Sequence, residues 1–132
     1  MGLYNTQIVG NIICSKLVGE LDAALSGEWV ENIEKLESGK TLHRFHDVRE
    51  VNAIHLSFDD LWSLSQRRLD AYKIGDETHS VFLVSTPLNY GVARMYQALT
   101  EGTPFKIEVL YEIEEAAEFL GVDMKIIENV TY

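Results

Sequence analysis

The sequence predicts a single α/β domain: a four- or five-stranded mixed, mostly parallel sheet with an N-terminal β-hairpin and about four helices. Three observations carry this. Short apolar runs alternate with helix-period segments between residues 41 and 120. A glycine follows each helical segment, at Gly39, Gly75, Gly102 and Gly121. Two further apolar runs at the start are separated only by Gly10-Asn11, a two-residue hairpin signal.

The elements follow in order. Residues 3–9 and 12–18 read as an antiparallel pair. Asp22 suits the N-cap of a first helix, in which Leu25, Trp29, Ile33 and Leu36 share a face. Residues 41–48 mix Leu42, Phe45 and Val48 with His43, Arg44 and His46, and are read as a strand between two capped helices. Ser57 opens a second helix, with Asp59 and Asp60 at its positive end. Phe58, Leu61, Trp62, Leu69 and Tyr72 are expected to form its inward stripe. Residues 81–84 are continuously apolar, as in a strand buried on both faces. Thr86 and Pro87 open a third helix as N-cap and first-turn proline, and Gly102 is expected to close it. Residues 105–111 alternate as a strand. Ile113, Ala116, Ala117 and Leu120 give a short fourth helix, and the apolar tail beyond Gly121 is expected to dock on the domain.

Composition narrows the function. At 132 residues the chain suits one domain. Its 11 basic and 21 acidic residues give a formal charge of −10. That balance disfavours nucleic acid, whose binding needs clustered cations; the one basic pair is Arg67-Arg68. No apolar window is long enough for a membrane span. No leader peptide is expected, and a cytoplasmic setting is. The single cysteine, Cys14, lies in an apolar run and reads as a small buried hydrophobe. There is no Gly-rich phosphate loop, nucleophile elbow or cysteine pair, so no cofactor and no enzymatic activity are expected.

His43, His46 and Asp47 are the tempting metal set. On a strand, His43 and His46 face opposite ways, and His43 and Asp47 stand about 13 Å apart at about 3.3 Å per residue. No metal is expected there. The better candidate is the edge where parallel strands end and helix N-termini present free N–H groups. It carries Arg49, Asn52, His55 and Ser57 from one connection, and Ser85, Thr86, Asn89 and Tyr90 from the next. They suit an anion or other ligand, or Ser57 and Thr86 serve only as caps. Trp29, Phe58, Trp62, Tyr72 and Tyr96 sit on helix faces expected to pack inward, as core or as the lining of an apolar cavity. An apolar tail and open sheet edges lead to an expected homodimer.

The stretches Val81-Phe82-Leu83-Val84-Ser85-Thr86-Pro87, Tyr90-Gly91-Val92-Ala93-Arg94-Met95-Tyr96, residues 105–111 and Glu114-Glu115-Ala116-Ala117-Glu118-Phe119-Leu120-Gly121 carry a resemblance. In this order they resemble the SpoIIAA-like superfamily: the STAS anti-sigma-factor antagonists, small bacterial STAS-like proteins and, more loosely, the CRAL-TRIO lipid-binding domains. The resemblance implies a STAS-like domain over residues 1–121 with residues 122–132 docked on it. It implies a non-enzymatic regulatory or protein-interaction role of antagonist type, with a protein partner. Its lipid-binding side implies the alternative, a carrier of a small apolar molecule. In the antagonists a regulatory serine lies in an Asp-Ser-Ser-Gly stretch after the third strand. Here that stretch is His55-Leu56-Ser57-Phe58, so the resemblance implies Ser57 as the phosphorylation site.

Overall fold

A computed structural model describes residues 2–37, 42–71, 77–128 and 130. Thr41, Gly39, Tyr72 and Gly75, singled out in the sequence, lie outside the described residues.

Strand β1 (Leu3–Val9) pairs antiparallel with β2 (Ile12–Asp22), with Val9 opposite Ile12. Gly10 turns the hairpin at φ 62°, a left-handed value that a Cβ would oppose. Asp22 ends β2 and caps α1 (Ala23–Glu37), its Oδ1 accepting from the Leu25 N–H at 2.8 Å.

Strand β3 (His43–His55) departs most from the sequence reading, which ended it at residue 48. It continues because β2 is also long and offers a parallel partner from Ile12 opposite His43 to Asp22 opposite His55. Two register shifts near Lys16 and Gly19 bend this pairing. Helix α2 (Phe58–Ala71) then leads to β4 (Thr78–Leu83), which pairs with β3 only from Arg44 to Asp47. Helix α3 (Pro87–Leu99) leads to β5 (Phe105–Leu110), parallel to β4. Thr100 caps the end of α3, so Gly102 lies in the turn beyond rather than closing the helix. Helices α4 (Ile113–Leu120) and α5 (Met124–Glu128) complete the described elements, with Gly121 as the C-cap of α4.

Among the described residues the sheet has five strands in the order β1-β2-β3-β4-β5, and β2 to β5 are parallel. Each crossover moves the chain the same way across the sheet. Right-handed connections therefore put α1, α2 and α3 on one face. The other face is covered by α4 and α5, where Cys14, Phe45, Val81 and Leu83 meet Ala116, Leu120 and Ile127. On the first face Ile13, Leu17, Val48 and Val51 pack against Trp29, Ile33 and Ala93. Helix α2 packs on α1 and α3, and a cavity remains beneath it.

Candidate functional site

The cavity lies between the sheet and α1, α2 and α3, with a volume of about 100 Å³. Leu21, Val30, Ile33, Val48, Val51 and Leu61 give it apolar walls. One end is polar: Arg44 and His46 from β3, Arg68 from α2, Ser80 from β4. All four are buried. Alternation puts Arg44 and His46 on this side of β3, and helical spacing puts Arg68 below Leu61 and Leu64.

Glu37 binds both guanidiniums. Arg68 Nη2 donates to Glu37 Oε1 and Oε2 at 3.0 Å each, and Arg44 Nη2 donates to Glu37 Oε2. The Arg44 guanidinium also lies over the Phe105 ring, 5.4 Å from its centroid. Burial, and secondarily the Arg68 charge, lowers the Arg44 pKa, although Glu37 offsets part of this. Burial pushes His46 well below the ordinary histidine value, and Arg44 and Arg68 push it further, so the ring is neutral. It packs edge-on against Trp29 at 4.8 Å and tilted against Phe82 at 5.0 Å. Burial raises the Tyr96 phenol, against the pull of the same two arginines. Three polar atoms here have no hydrogen-bond partner among the described residues: Arg44 Nε, His46 Nδ1 and Arg68 Nη1.

Of the aromatic residues expected to pack inward, Trp29 and Tyr96 line the cavity. Trp29 is also tied to β2, its Nε1 donating to Ser15 Oγ at 3.0 Å. Phe58 and Trp62 are corrected: they are 56% and 48% exposed. Helix α2 turns Leu61, Ser65 and Arg68 inward instead, because the polar end of the cavity takes the arginine. Phe58 and Trp62, four residues apart, form an outward apolar stripe.

The expected ligand edge does not form one cluster. β3 runs six residues past Arg49, about 20 Å at about 3.3 Å per residue, so His55 and Ser57 are far from Ser85 and Thr86. Ser85 Oγ donates to the Arg49 carbonyl at 2.8 Å. Arg49 itself closes on Asp47 through Nε at 3.0 Å and Nη2 at 2.9 Å. Asp47 also accepts from Lys16 Nζ at 3.0 Å. Burial would raise the Asp47 carboxyl, but the hydrogen bonds from Arg49 and Lys16 hold it below the usual range. Asn89 is buried and donates to the Val51 carbonyl at 2.9 Å, fastening α3 to β3. Tyr90 stacks on Tyr111 at 5.3 Å. Asn52 is exposed, and His55 approaches Glu20 at 4.0 Å.

Ser57 sits in a reciprocal capping box. Its Oγ accepts from the Asp60 N–H at 3.1 Å, and Asp60 Oδ2 accepts from the Ser57 N–H at 2.8 Å. Thr86 Oγ1 likewise accepts from the Asn89 N–H at 3.2 Å. His43 and His46 do face opposite ways: His43 Nδ1 accepts from the His79 N–H at 3.0 Å, across the sheet from Trp29. Burial raises the Cys14 thiol to about 11.

A parallel four-strand run begun by an antiparallel hairpin, with helices on both faces, is the SpoIIAA-like, or STAS, fold. Solved structures agree. An uncharacterised protein of the DUF3478 family with a SpoIIAA-like fold, from Shewanella loihica PV-4, matches with a TM-score of 0.60 and 14% identity over 90% of this chain and 93% of that one. The anti-sigma factor antagonist SpoIIAA in its unphosphorylated form matches with a TM-score of 0.56 and 15% identity, over 88% and 96%. No family model matches the sequence. No curated protein matches it. Among the described residues no helix is long and apolar enough to cross a membrane.

Proposed function

We propose that the chain is a non-enzymatic binding domain that docks a protein partner through the outer face of α2. The carrying observation is the exposure of Phe58 and Trp62 beside the capping box. Large aromatics are concentrated in docking surfaces, where they supply much of the binding energy. The solved neighbour that is an anti-sigma factor antagonist supports a regulatory role by analogy of fold. The chain's charge of −10 favours a partner with a basic face and fits a cytoplasmic setting. Self-association fits as well, since edge strand β1 exposes Leu3 and Ile8.

Native mass spectrometry of the protein purified from its own host tests this reading. The expected species is a homodimer carrying a second protein in fixed ratio. A bare monomer would contradict both assemblies.

Ser57 acts in this reading as a cap. A phosphate of about two negative charges there would meet the carboxylates of Asp59 and Asp60. Ser57→Ala should cost about 1 kcal/mol in urea unfolding, and Ser57→Asp should be nearly neutral. Phosphopeptide mapping should find Ser57 unmodified, and stoichiometric phosphate on it would reverse the assignment.

A second reading, the carrier of a small molecule, draws on the cavity. Its volume of about 100 Å³ is too small for a long lipid chain, but its apolar walls and unpartnered polar end suit something smaller.

A further inference from the structure

We infer that the polar end of the cavity is a carboxylate site, and that its ligand is a short aliphatic monocarboxylate of about three carbons whose chain lies against the apolar walls. This rests on the second reading above and goes beyond it in naming the head-group chemistry.

Charge is the first ground. Arg44 and Arg68 are 5% and 6% exposed and share one carboxylate, that of Glu37. Among the described residues the buried cluster is therefore one positive charge in excess. Glu34 is within ion-pair distance of Arg68 but is shared with Arg67, so three guanidiniums meet two carboxylates. The Glu34 carboxylate is held at the rim by Arg67, through Nε at 3.1 Å and Nη2 at 2.7 Å. Its nearest approach to Arg68 Nη1 is 4.0 Å, too long for a hydrogen bond. His46 adds no charge, being neutral. One monoanion would neutralise the cluster, whereas a dianion would overcharge it.

Unused donors are the second ground. Among the described residues Arg44 Nε and Arg68 Nη1 have no hydrogen-bond partner, and both residues line the cavity. Guanidinium N–H groups donate and cannot accept, so the missing partner is an acceptor. His46 Nδ1 adds a further polar contact at the same end. A buried group left unpaired is costly, and a carboxylate can accept from several donors at once.

Size and wall chemistry are the third ground. A cavity of about 150 Å³ holds the six heavy atoms of benzene, so about 100 Å³ suits a smaller body such as propionate. Water alone would meet hydrogen-bonding partners beside Arg44 and Arg68, but mainly Leu, Ile and Val along the rest of the wall, with Ser26 and Asn89 among them.

Titrating the full chain with propionate, 1-propanol and inorganic phosphate, followed by NMR, tests the assignment. Propionate should bind at least about thirtyfold more tightly than 1-propanol. Equal binding of the two would overturn the carboxylate site while leaving the carrier reading intact. Binding of neither would overturn both. Phosphate binding as tight as propionate would overturn the monocarboxylate assignment. In Arg68→Met the preference for propionate should disappear; a retained preference would overturn the role of Arg68. Should that variant fail to fold, Glu37→Gln decides by the opposite sign. Removing the competing carboxylate should tighten propionate binding about tenfold, and unchanged or weaker binding would overturn the inference.

Discussion

Glu37→Leu should lower the unfolding free energy by about 3–5 kcal/mol, because it strands two buried guanidiniums without their carboxylate. Arg44 and Arg68 are both more than nine-tenths buried and both donate to Glu37. They cannot escape by deprotonating, since guanidinium stays charged under ordinary conditions. Such a loss is a large part of the about 5–15 kcal/mol that holds a typical domain together. Replacing the whole triad by apolar residues, as Arg44→Met, Glu37→Leu and Arg68→Met together, should recover most of it, because no buried charge then remains. Urea unfolding of the single and triple variants checks both statements. A single variant within about 1 kcal/mol of the wild type would show that the guanidiniums find other partners or reach water.

The two tryptophans should behave oppositely. Trp29→Ala should cost about 3–5 kcal/mol, because it empties a site packed against β2 and β3. Its ring meets His46 at 4.8 Å, and its Nε1–H donates to Ser15 Oγ at 3.0 Å. Trp62→Ala should stay within about 0.5 kcal/mol, since 48% of the residue is already in water. Acrylamide quenching of the two single-tryptophan variants gives an independent check. Trp62 should be readily quenched and Trp29 protected. A Trp62→Ala loss as large as that of Trp29→Ala would mean that α2 lies flat on the core.

Both aromatics obey the same helical period in the sequence, which is why periodicity alone did not separate them. The discriminating residue is Arg68. On α2, Leu61, Leu64 and Arg68 fall on one face, and an arginine ending an apolar stripe is the visible sign that the stripe leads to buried charge. Its partner Glu37 lies 31 residues away, beyond the reach of any local pattern. The length of β3 was hidden for a related reason. Residues 49–55 continue it only because β2 offers a parallel partner as far as Asp22, while Arg44, His46 and Asp47 are buried within it although their types read as surface. Each is accommodated by a tertiary neighbour: Glu37 for Arg44, the Trp29 and Phe82 rings for His46, Lys16 and Arg49 for Asp47. By contrast, the hairpin at Gly10-Asn11 and the caps at Asp22, Ser57 and Thr86 rest on local chemistry, and all were legible. The SpoIIAA-like fold was legible too, because right-handed crossovers leave few topologies for this order of elements. The ligand edge was not. It assumed that β3 and β4 end together, whereas β3 continues to His55 beside β2 alone.

Docking through α2 is most directly tested by Trp62→Asp expressed in the native host. The substitution puts a charge into the exposed stripe while leaving Leu61, Ser65 and Arg68 in place on the buried side. The urea midpoint should stay at the wild-type value, and native mass spectrometry should show the second protein lost from the complex. A variant that folds normally and still carries its partner in the wild-type ratio would contradict docking through this face.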